Sequence, residues 1–151
     1  AFSISLLADA YRHSRDERFL KAALHKFRVG VAPGQAPNGR WMDAHNARTV
    51  YHIIILRALG DLGSLVKEER AEIDAVAKPA IKALLDEFDA MGITVEALPE
   101  LLTLSRLYPE DTRLKTAVSA MASSLIEKCT DGKNVKMGAQ PNQLAAVPHV
   151  R

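Results

Sequence analysis

Apolar positions along the chain recur at helical intervals in six blocks. Residues 3–13 place Leu7, Ala10 and Tyr11 on one face, and 17–29 repeat Phe19, Ala23 and Phe27 at steps of four. That step returns a helix to the same side. Asp16 stands where an N-cap belongs for the second block. Residues 43–60 predict a third helix, with Gly60 and Gly63 as stop signals. A fourth is predicted over 67–91 with Pro79 inside it, so a kink or a break into two pieces is expected there. The last two are predicted over 95–107, with Thr94 as cap, and 111–129, with Asp111 as cap and Gly132 as terminator. Residues 131–151 show no helical period and are read as an extended or poorly ordered tail behind a 1–130 helical domain.

One pattern repeats. LLADAYRHSRDERFLKAAL (6–24) aligns with LLTLSRLYPEDTRLKTAVS (101–119) at a constant offset, pairing Leu6 with Leu101, Asp16 with Asp111 and Arg18 with Arg113. Each unit reads as a helix, a short turn ending in an Asp cap, and an antiparallel second helix. Such hairpins bury their apolar faces only by stacking. The expected fold is therefore all-α: stacked antiparallel helical hairpins, about six helices in all. An aromatic late in one helix, a polar turn with Asp and an apolar–Lys–Ala start together resemble the hairpins of α/α-toroid proteins. The resemblance implies an open arc or partial toroid, since three hairpins are about half of a closed ring. It also implies glycan processing, as in polysaccharide lyases, glycoside hydrolases and sugar epimerases.

Composition narrows the function classes. Lys and Arg number 20 against 18 Asp and Glu, a net +2 that gives no reason to expect a nucleic-acid or anionic-membrane partner. No apolar run approaches the roughly 18 residues of a membrane span. One cysteine, Cys129, excludes an intrachain disulfide framework. The chain begins at Ala1 rather than a methionine, as expected of a processed chain or a segment of a longer one. Compartment and oligomeric state have no signature here.

Candidate chemistry gathers in PNGRWMDAHNARTVYH (37–52). On a wheel of about 100° per residue, His45, Thr49, His52 and Leu56 share a stripe that turns from polar to apolar along the predicted helix. From Val50 onward that helix is apolar nearly all round, the mark of burial on most sides. A long loop precedes it and carries the sole tryptophan. Asn38, Arg40, Trp41, Asn46 and Arg48 are the candidate ligand-binding residues. Trp stacks on a sugar face, Arg forks onto a carboxylate and Asn bonds hydroxyls. His45, His52 and Tyr51 are the candidate catalytic groups, for removing the proton beside a uronate carboxylate. The plainer account makes Trp41 a hydrophobic plug and Asp43 a helix cap.

A metal site is not expected. His45 and His52 lie seven residues apart, about 10.5 Å along a helix, against the four-residue spacing of helical zinc pairs. No glycine-rich phosphate or dinucleotide fingerprint is present, and no cofactor is expected. Glu96, Glu100, Glu110 and Asp111 are available as hydrolase carboxylates, but their spacing singles out no pair. Two functions follow from these observations. One is a glycan-handling domain that binds, or eliminates from, an acidic polysaccharide at 38–52. The other is a helical-repeat scaffold that binds a protein or peptide partner without catalysis.

Overall fold

The computed structural model describes residues 1–43, 46–91 and 97–129, the side chains of Met91, Lys128 and Cys129 excepted. The described residues form an all-α fold of six helices: α1 (Phe2–Ser14), α2 (Glu17–Lys26), α3 (Thr49–Gly63), α4 (Arg70–Met91), α5 (Leu98–Leu107) and α6 (Thr112–Cys129). The tail expected at 131–151 and the cap expected at Thr94 lie outside them.

Local chemistry explains the boundaries. Asp16 is extended and its carboxylate accepts the Arg18 N–H, so it caps α2 as expected. Arg15, just before it, takes the left-handed conformation that reverses the chain after α1. Asp111 Oδ1 accepts the Leu114 N–H at 2.9 Å and caps α6 in the same way. α2 ends in a single wide turn, where the Ala32 N–H reaches the Phe27 carbonyl five residues back. A tight turn over Ala32–Gly34 follows. α3 starts at Thr49, six residues later than its periodicity predicted. Asp43 does not cap α3, whose N-cap is Arg48; its side chain instead accepts the Asn46 N–H of a preceding turn at 3.1 Å. The turn it opens closes with Ala47 N–H on Asp43 O and does not propagate, because Arg48 is extended.

Contacts divide the chain into two compact units, Ala1–Asp86 and Glu87–Arg151. In the first, α1 and α2 form the antiparallel hairpin and α1 also packs on α3. α3 is the buried rod that its composition predicted, with Ile53, Ile55, Leu56, Leu59 and Leu62 all interior. Fully burying each such aliphatic side chain stabilises the fold by about 1.5–3 kcal/mol. Arg12 ties the end of α1 to the end of α3, donating to Asp61 Oδ1 at 3.3 Å and to Ser64 Oγ at 3.0 Å. In the second unit, Leu98, Leu101 and Leu104 of α5 and Leu114, Met121 and Leu125 of α6 form the core. Arg113 pairs there with Asp89.

Two expectations need adjusting. Of the kink or break expected at Pro79, the break is absent, since α4 runs through the proline as one helix. The repeat reproduces the helix–turn–cap order but not the buried face. Leu101 is wholly buried while its counterpart Leu6 is 71% exposed, and Leu24 is buried where Ser119 is exposed. Which side of a helix is interior depends on what packs against it, and the pattern of one hairpin does not carry that information.

Candidate functional site

The stretch 35–52 is built around a tight turn. Gly39 N–H reaches Ala36 O at 2.9 Å and Ala36 N–H reaches Arg40 O at 2.7 Å, so residues 36–40 close on themselves. Pro37 suits the second position of such a turn and Asn38 the third. Gly39 has φ +81°, a conformation that glycine adopts without the Cβ penalty. Gln35 and Trp41 then pair across its base as an antiparallel bridge.

This turn lies on α4 at its proline. A Cβ on Gly39 would stand 2.3 Å from Pro79 O, so the backbones meet closer than any side chain permits. Gln35 Nε2 donates to Val76 O at 2.8 Å and to Gly39 O at 3.1 Å. His52 Nε2 bonds Ala80 O at 2.8 Å. A carbonyl only accepts, so in this bond the imidazole carries its proton on Nε2. Three successive regions of α4 are thus bonded or packed by the loop and by the first turns of α3.

Trp41 is 2% exposed, and its indole N–H donates to Val31 O at 2.8 Å. Its ring centroid lies 5.5 Å from that of His52 at a 51° tilt. His52 is itself fully buried. These two candidates are brought together, but inside the protein. A sugar-stacking role needs an open indole face, and proton abstraction needs an imidazole that substrate reaches; neither is presented. The plug reading of Trp41 fits its place, and its contribution is packing plus one satisfied donor.

The other described candidates lie along the same loop and the start of α3. Asn38 is exposed and its Oδ1 accepts the Arg40 N–H at 3.0 Å. Arg40 Nη2 donates to Ala47 O at 3.0 Å, closing the loop from its other side. Asn46 Nδ2 bonds Asp43 Oδ2 at 2.8 Å. Arg48 is exposed, and its carbonyl accepts the N–H groups of Tyr51 and His52. Tyr51 is half-buried. His45 lies outside the described residues, as does Glu96. Among the described residues no three His, Cys, Asp or Glu side chains cluster as metal ligands. No described helix is long and apolar enough to cross a membrane.

Sequence reasoning missed Gln35 and the pairing of Gly39 with Pro79. Two signals stood in the chain: a Pro–Asn–Gly turn and a proline within a helix. Neither says that the two meet.

A cleft of about 210 Å³ opens elsewhere, between the start of α1 and the end of α2. Ala1, Ile4, Lys26, Val29 and Val31 line it, and none of the candidate residues does. Ligand pockets usually exceed about 300 Å³, so this one has room for a side chain rather than a sugar chain. Large apolar side chains stand exposed nearby in sequence: Phe2 (71%) and Leu6 (71%) on α1, and Val29 (62%) on the cleft wall. No family model, curated protein or solved structure matches the chain.

Proposed function

We propose that this chain is a helical-hairpin scaffold that binds a protein partner through the outer face of α1 and the cleft at the start of that helix. One observation carries the reading: Phe2 and Leu6, a helical turn apart, both face solvent, and Val29 is exposed on the wall of a cleft sized for one side chain. Residues four apart on a helix are surface neighbours. An exposed apolar pair suits the apolar face of an amphipathic helix, and a side-chain-sized recess at the same end of α1 suits one anchoring residue. The aromatic and imidazole groups that a glycan site would use are interior, at Trp41 and His52. An acidic-glycan site would have to be assembled without them, around Arg48, Asn38 and Tyr51.

The test compares three proteins in two assays. A Phe2→Ser, Leu6→Ser double variant and an Arg48→Ala variant are set beside the parent. Affinity capture is followed by quantitative binding of the purified partner, and acidic oligosaccharides are screened in parallel. The expected result is a partner whose affinity falls at least tenfold in the double variant and is kept by Arg48→Ala, about 1.4 kcal/mol or more. Oligosaccharide binding or elimination that disappears in Arg48→Ala would overturn the scaffold reading in favour of the glycan one.

A further inference from the structure

The cleft at the start of α1 has apolar walls and a single ionisable side chain. Ile4, Val29 and Val31 supply the apolar surface, and Lys26 at the end of α2 supplies the charge. Resting on the scaffold reading above, we propose that the partner is acidic: an amphipathic helix that seats one apolar side chain in this cleft and sets a carboxylate against Lys26.

The distribution of charge selects that sign. From Arg18 to Met42 the chain has no Asp or Glu, while Arg18, Lys21, Lys26, Arg28 and Arg40 all fall within it. α1 adds no carboxylate before Asp9, which pairs with Arg12. Most of the cations are already engaged. Arg18 holds Asp16, Arg28 holds Glu72 of α4, and Arg40 donates to Ala47 O. Lys26 is exposed and pairs with no carboxylate among the described residues. A lysine in this setting lays its methylene stem along apolar surface and keeps its ammonium in water. A basic partner would bring a like charge to a wall that has no carboxylate to offset it. An acidic partner gains an ion pair instead, and the seated side chain shields that pair from water. An anionic bilayer offers negative charge as well, but its surface leaves a recess of about 210 Å³ unfilled, whereas an anchoring side chain fills it. Phe2 and Leu6, exposed at the same end of α1, extend the apolar contact beyond the cleft.

The test uses the full chain and defined probes. Fluorescent helical peptides of about 16 residues share one apolar face, with Leu, Met or Phe as anchor, and carry either Glu or Lys on the rest. Their binding is followed by anisotropy on the parent, on Lys26→Glu and on Lys21→Glu, which makes the same change of net charge on another side of α2. Vesicles of phosphatidylserine and phosphatidylcholine form a second arm, and circular dichroism checks that each variant keeps its helices. The expected result is an acidic peptide that binds the parent at least about tenfold more tightly than its basic twin, an order reversed in Lys26→Glu and kept in Lys21→Glu. Misfolding would weaken both peptides and reverse nothing. Three outcomes overturn the proposal: no acidic peptide binds in preference to its twin, the two lysine variants lose affinity equally, or vesicles bind and peptides do not. Equal binding of both peptides that vanishes in the Phe2→Ser, Leu6→Ser variant and ignores Lys26→Glu would remove the acidic partner and leave the scaffold reading standing.

Discussion

At the scale of single residues, the most constrained position is Gly39. It has a positive φ, and no Cβ fits beneath Pro79 O. Gly39→Ala suffers twice. The backbone conformation alone costs about 1–3 kcal/mol, and relief of a 2.3 Å contact with backbone adds to that by lifting the turn from α4. Gly30 has open space around its missing Cβ and no positive φ. Gly30→Ala is therefore expected to be neutral or stabilising by about 0.4–1 kcal/mol, through the unfolded chain. The denaturant midpoint is expected to fall in Gly39→Ala and to hold or rise in Gly30→Ala. Asp16 makes a different prediction. The Arg18 side chain, then its N–H, hold the Asp16 carboxyl down from 3.8 to about 2. Its contribution is present in full above the ordinary carboxylate range and is lost as pH falls toward about 2. Arg18 is exposed and Asp16 half-buried at the surface, so solvent screens the pair and the effect is modest. Thermal melts between about pH 5 and about pH 2 are expected to fall less steeply in Asp16→Asn than in the parent.

At the scale of elements, a proline in the middle of a 22-residue helix raises the question of what tolerates it. Pro79 has no N–H, so Ala75 O lacks its partner four residues on. Ala75 is exposed and water can take that carbonyl. The Pro79 ring is exposed too, so removing it uncovers no core. Pro79→Ala restores the donor and the better helix former, and stability is expected to rise by about 1–3 kcal/mol, read from the guanidinium midpoint. A fall instead would mean that the proline shapes the surface on which Gly39 and Gln35 rest. The same elements show what a sequence reveals. Six helices were legible because apolar spacing and Asp caps are local signals, and α3 was recognisably a buried rod. Its start was not legible: Asp43 and Asn46 form a turn that resembles a helix cap, and the extended Arg48 separates it from α3. Three of the candidate side chains are turned to backbone for a related reason. Trp41, His52 and Arg40 are chemically suited to a ligand, but the same donors suit the carbonyls of Val31, Ala80 and Ala47. Residue type alone does not distinguish a group aimed at substrate from one aimed at backbone.

At the scale of the whole molecule, contacts within the chain fall into two units, with α1 to α3 in the first and α5 and α6 in the second. Each has an apolar centre of its own, around Leu56 and Leu59 in one and Leu101 and Leu114 in the other. α4 passes from one to the other, so the boundary falls within a helix. Two probes separate the units without cutting the chain. Trp41 emission reports on Ala1–Asp86 alone, whereas far-UV circular dichroism reports on every helix. Leu114 is wholly buried, and Leu114→Ala removes about 2–5 kcal/mol of packing from the second unit. If each unit is its own cooperative block, the dichroism curve broadens toward lower denaturant as α5 and α6 melt early. The Trp41 midpoint then stays at the parent's value. If the chain unfolds as one block, both midpoints move down together by the same increment. The division of contacts predicts the first pattern, and coincident shifts would show that α4 carries cooperativity across the boundary.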